Sequence, residues 1–200
     1  MRKIFCALAL VAGAAGAAQA QDVSLGLKAG ASLSNLRGAD ATNSEYLLGF
    51  HAGVFANIGL TRTVAFQPEL LYSQKGQTLP LVGGSDNAID RFHYVDVPLA
   101  FHINANGLFF EAGPQVGFLV GASRKIGNAS YDTKKSYETA DYGYLAGLGY
   151  QRKTGLGIGL RYNGSFTSVR QEFALGGATI QDRARNSAFQ LYLTYSFGGL

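Results

Sequence analysis

A period of two that recurs eight times is the feature that most restricts how this chain can fold. Val23, Leu25, Leu27, Ala29, Ala31 and Leu33 alternate with Ser24, Gly26, Lys28, Gly30, Ser32 and Ser34. Successive side chains of an extended strand point to opposite faces, so this segment has one apolar face and one small, polar face. The same alternation returns at about 46–58, 63–75, 91–103, 108–121, 141–151, 155–166 and 188–197. Eight strands are predicted. Their connections also alternate: 59–62, 104–107 and 152–154 are hairpin-sized, whereas 35–45, 76–90, 122–140 and 167–187 are long and rich in Gly, Ser, Asn and charge. Short turns at one end and long loops at the other characterise an up-and-down barrel.

A water-soluble barrel also alternates, with its apolar face turned inward, so the residues of the polar face decide between the two. A water-facing exterior carries many Lys and Glu. Here the polar face is dominated by Gly, Ser, Gln and Asn, as at Gly113, Gln115, Gly117 and Gly121, and such small residues suit the crowded interior of an eight-stranded barrel. The apolar face of the second strand (Leu48, Phe50, Ala52, Val54, Ala56, Ile58) and of the fourth (Val95, Val97, Leu99, Phe101, Ile103) contains no charge. A basic residue facing lipid at the midplane costs about 2–4 kcal/mol. The predicted fold is therefore all-β, an eight-stranded antiparallel up-and-down transmembrane β-barrel, with both ends in the periplasm and four loops outside. Aromatics near the strand ends (Phe66 and Tyr72, Tyr142 and Tyr150, Tyr162 and Phe166, Phe189 and Phe197) are expected to form interfacial girdles. Pro68, Pro98 and Pro114 fall inside predicted strands, where bulges or local breaks are expected.

Residues 1–20 read as a cleavable signal peptide. Arg2 and Lys3 precede an apolar run from Ile4 to Ala18, and Ala18-Gln19-Ala20 supplies a small-x-small cleavage site. Residues 21–200 then form the barrel domain, exported to the outer membrane. The only Cys and the only Met leave with the leader. Its removal leaves 15 basic against 13 acidic residues, too weak a balance for nucleic acid.

Five charges share the inward parity: Lys28, Glu69, Asp96, Glu111 and Arg161. Each lies several residues from its strand's end, so a mid-depth network is predicted, with Arg161 pairing with one or more of Glu69, Asp96 and Glu111. A polar plug holding the barrel closed and an ion path are the two readings of such a network. His51, His93 and His102 are widely spaced and are expected to be hydrogen-bonded rather than metal-bound. The glycines of 155–159 precede no helix, and no Gly-x-Ser-x-Gly elbow occurs, so neither a dinucleotide site nor that type of hydrolase site is expected. Arg124, Lys125, Lys134 and Lys135, with Asp132 and Glu138 among them, make the third long loop a candidate binding patch for lipopolysaccharide or a protein.

Several segments resemble, in order, the bacterial outer-membrane beta-barrel domain family that includes PorT-like proteins. They are 25–30 (LGLKAG) with 33–36 (LSNL), 67–76 (QPELLYSQKG), 94–99 (YVDVPL), 113–117 (GPQVG) and the closing 193–197 (LTYSF). The resemblance spans essentially all of 21–200 and includes the in-strand prolines. It implies an eight-stranded outer-membrane barrel and a secretion-linked role like that of PorT. It also implies an aromatic insertion signal near the end, which Phe197 supplies although three residues follow it. The expected function is that of a small non-enzymatic surface or scaffold barrel, or one that supports envelope assembly, acting through its extracellular loops. The alternatives are a narrow pore for ions or small solutes and a membrane-embedded lipid-modifying enzyme. Expected partners are outer-membrane lipid, lipopolysaccharide and an envelope or secretion protein, with no cofactor, metal or nucleic acid.

Overall fold

The computed structural model describes residues 23–197 except 40, 42, 82–86, 171–172, 176–177 and 181–182. The leader, its cleavage site and Cys6 lie outside the described residues. Eight long strands form the ring: β1 (Val23–Arg37), β2 (Leu47–Gly59), β3 (Val64–Pro80), β4 (Asn87–Ala105), β5 (Leu108–Ile126), β7 (Ala140–Gln151), β8 (Leu156–Ser165) and β11 (Arg185–Phe197). Each pairs antiparallel with the next, β5 pairs with β7, and β11 returns to β1, so the ring has no edge. Closure matters because unpaired backbone groups cannot be satisfied in hydrocarbon. Partners followed from Val23 through Ile58, Phe66, Phe101, Ala112, Ala146, Tyr162 and Phe189 return to β1 at Leu33, ten residues further along. This stagger sets the tilt of the strands.

Parity sorts the two faces as the alternation requires. Outward residues such as Leu25, Leu48, Phe110, Leu160 and Leu193 are half exposed or more, while inward Lys28, Ser32, Glu69, Asp96 and Arg161 are buried. The interior is less uniformly small than expected: Phe55, Phe92, Tyr94, Phe109 and Tyr192 also point inward and are buried.

The long connections contain more structure than their composition suggests. Strands β3, β4 and β5 run on through most of 76–90 and into 122–126, so this wall rises above the rest of the ring. β6 (Ala129–Asp132) folds back on the end of β5, followed by a 3-10 turn at Lys134–Ser136. A two-stranded hairpin, β9 (Phe173–Leu175) and β10 (Ala178–Ile180), lies in the last long connection.

The prolines interrupt pairing without shifting it. Ala56 and Asn57 are unpaired opposite Pro68 and Gln67, Glu69 and Leu70 opposite Pro98 and Val97, and Leu99 and Ala100 opposite Pro114 and Gly113; the register is the same on both sides of each gap. Proline has no N–H to donate, so the loss is local. The bulge lies elsewhere, between His93 and Tyr94, where Val120 has no partner. It corrects one parity assignment: Gly121, expected inside, pairs with the outward His93.

Candidate functional site

The interior is occupied from end to end, and its centre is an ionic cluster assembled from five strands. Arg161 on β8 donates from Nη1 and Nη2 to the two oxygens of Glu69 on β3 at 2.9 and 2.7 Å. Its Nε donates to Glu111 Oε1 on β5 at 2.8 Å, and Nη2 also reaches Glu111 Oε2. Lys28 on β1 lies 3.0 Å from Glu69 Oε1 and 3.7 Å from the centre of the Tyr192 ring, whose hydroxyl donates to Glu111 at 2.8 Å. Gln67 donates to Glu69 at 2.9 Å. Two cations and two carboxylates balance, and charge-assisted hydrogen bonds occupy most of their polar atoms, which is what buried charge requires.

Local sequence lets these groups meet. Gly147 is the register partner of both Glu111 and Arg161, and a Cβ there would lie 2.6 Å from Glu111 Oε1. The guanidinium and the carboxylate therefore converge across a strand that presents no side chain between them.

Asp96, expected in the same network, belongs to a second cluster nearer the long loops. Lys75 Nζ lies 2.9 Å from Asp96 and 3.9 Å from Asp141. Asn186 donates to Asp141 at 2.9 Å and to the Tyr94 hydroxyl at 3.2 Å, and Thr167 donates to Asp141 at 2.9 Å. A glycine again supplies the space: Gly117 pairs with both Asp96 and Asp141, and a Cβ there would lie 2.5 Å from Asp96 Oδ1. Distance from the short turns separates the clusters: Glu111 pairs with His102, near the β4–β5 turn, whereas Asp96 pairs with Gly117, further along both strands toward the long loops. Lys75 and Asp141 were not among the candidates, although Lys75 has the same parity as Glu69 on the same strand.

An apolar cap closes the loop end. Leu36, Phe92, Leu119 and Ala122 from the ring pack with Tyr137, Val169 and Ala184 from the connections, and the Phe92 and Tyr137 rings meet edge to face at 4.7 Å. At the opposite end a cavity of about 30 Å³ lies among Gln67, His102, Phe109 and Thr194, room for a water molecule.

The histidines separate. His51 Nδ1 is 3.0 Å from the Ser32 hydroxyl, a nucleophile-and-base spacing, but both residues are 1% exposed and neither lines this cavity. His93 stacks outside on Tyr72. His102 stacks on Phe109, and folding brings its ligand nitrogen within 4.8 Å of Glu69 and Glu111 oxygens. Those oxygens already accept from Arg161, so a cation there would have to displace the guanidinium. The basic loop residues are divided as well. Arg124 is tied to Asp90 by bonds of 2.6 and 2.7 Å, which hold its pKa above the ordinary arginine value. Lys125, Lys134 and Lys135 are exposed.

A closed ring of eight antiparallel strands, apolar outside and charge-paired within, defines a transmembrane barrel of the outer-membrane type. The chain belongs to the outer membrane protein beta-barrel domain family, which it matches over residues 18–171. Neisserial surface protein A superposes with a TM-score of 0.56 at 14% identity, over 88% of this chain and 99% of that one. The attachment invasion locus protein Ail of Yersinia pestis gives 0.49 at 13%, over 87% and 98%. The outer membrane protease OmpT of Escherichia coli gives 0.37 at 10%, over 88% and 96%. No curated protein matches the chain.

Proposed function

We propose that this protein is a closed, non-enzymatic barrel that acts through its loops and outer surface as a surface or scaffold component of the bacterial outer membrane, exported by the 1–20 leader. The observation that carries this reading is the occluded interior: an apolar cap, two ionic clusters and one water-sized cavity succeed one another along the axis. Among the described residues, such a column favours a closed interior over a path for small solutes. A PorT-like, secretion-linked role is the finer form of the proposal, and co-purification of envelope secretion proteins with the barrel from intact envelopes is the observation that would support it.

Two measurements test the reading. In planar bilayers the purified barrel is expected to give no stable single-channel steps; steps abolished by substitution of Lys28 or Glu111 would establish a pore instead. The length of the connections motivates an outward orientation of their end. An epitope inserted at Ala129, in the β5–β6 hairpin, is expected to bind antibody on intact cells, and one at Asn106, in the two-residue β4–β5 turn, is not. Labelling at Asn106 alone would invert the barrel.

A further inference from the structure

At the loop end of the outward face two like charges stand together with no ion-pair partner among the described residues. Arg37, the last residue of β1, stands directly opposite Arg185, the first residue of β11, and both are exposed on the outward parity. Like charges opposite one another on a sheet repel. Among the described residues neither forms an ion pair; Arg37 donates only to the Tyr46 hydroxyl, at 3.3 Å. Arg124 and Arg161, by contrast, are closely paired with carboxylates.

The place is also shaped. A cavity of about 210 Å³ lies between the two arginines, lined further by Gly38, Tyr144, Tyr162 and Ser187. Below it the aromatic girdle is continuous: the Tyr144 ring lies 6.1 Å from Tyr162 and 5.1 Å from Phe166, and Tyr162 lies 5.0 Å from Phe189. The Arg37 guanidinium sits 5.8 Å from the Tyr162 ring centre. Tyrosines of this kind mark the headgroup level, with acyl chains beneath. Two guanidiniums just above that level, with no anion between them among the described residues, present donors with the fork geometry that phosphate oxygens accept.

We propose that Arg37 and Arg185 clamp the phosphate of a phosphorylated lipid of the leaflet at the loop end, its acyl chains lying on Tyr144, Tyr162, Phe166 and Phe189. One phosphate between the two removes their mutual repulsion and fixes the lipid against this wall. The leaflet is the outer one if the orientation proposed above holds. The clamp itself is the same in either orientation.

Native mass spectrometry of the folded barrel in detergent tests this, with lipid A carrying its phosphates, the same lipid after phosphatase treatment, and inorganic phosphate as probes. The unaltered protein is expected to retain one phosphorylated lipid, and the dephosphorylated form about tenfold less or weaker still. R37Q/R185Q is expected to lose that difference while keeping the compact migration of an unheated folded barrel. Equal retention of the two lipids by the unaltered protein overturns the proposal, a comparison that needs no variant. Unchanged selectivity in the folded variant overturns it too. Displacement of the lipid by millimolar inorganic phosphate would show an anion site with no lipid requirement, and so also counts against it. None of these outcomes depends on conductance or on which end of the barrel faces out.

Discussion

Arg161→Met is expected to destabilise the folded barrel by about 3–5 kcal/mol, the usual cost of removing one partner from a buried ion pair. Methionine fills much of the space, but Glu69 loses a bidentate donor and Glu111 loses two bonds, while Lys28 stays in contact with Glu69. Adding Glu111→Gln or Glu69→Gln should recover part of the loss, with coupling of about 0.5–3 kcal/mol in a double-mutant cycle. Asp96→Asn should couple to Lys75→Met and not to Arg161→Met, because the two clusters share no partner. Urea titrations of folding into lipid vesicles, followed by the mobility of unheated samples, measure each term. Zero coupling of Arg161 to both glutamates, or strong coupling to Asp96, would contradict the arrangement.

One residue away the same side chain should do the opposite. Leu160 precedes Arg161 on β8, faces lipid and is 50% exposed. Leu160→Arg is expected to cost about 2–4 kcal/mol in vesicles, because its neighbour Arg161 lies several residues from either end of β8 and both therefore sit well inside the hydrocarbon band. Among the described residues, the strand neighbours of Leu160 on that face are Leu148 and Leu191, which offer the new charge no carboxylate. A cost near zero in the same titration would place Leu160 at the interface and move the membrane band along the barrel.

The strands were legible because lipid on one side and a packed interior on the other leave little freedom about which way a residue points, so parity alone locates Lys28, Glu69, Glu111 and Arg161 on the inner wall. What parity lacks is depth. Depth is counted from the short turn: β4 runs on from Asp96 to Ala105 while β5 begins at Leu108, just before Glu111, so the two carboxylates fall in different clusters. The large inward aromatics were missed because small residues dominate the inner face by number, while Tyr192 and Phe109 fill the volume that those small residues leave. The strand ends were misplaced because Gly, Ser and Asn in 76–90 look like loop, although Gln77, Asp90 and Phe92 continue the alternation into the apolar cap. The bulge at Val120 has no signal in an alternating pattern until its partner strand is known.

The three prolines give the ring an uneven stiffness. Their gaps fall on neighbouring strands, β3, β4 and β5, and pairing carries Pro68 to Leu99, beside the next gap at Pro114. They therefore line up as a seam across one wall, whereas the ladders of β8 with β7 and β11 are unbroken. A wall missing several rungs bends more easily under lateral pressure than one that has them all. Arg161 projects from the rigid side and fastens to Glu69 on β3 and Glu111 on β5, the outer two of the three proline-bearing strands. The buried charges thus act as an internal brace: they stiffen from within, by side chains, the part of the cylinder whose backbone is least able to resist deformation.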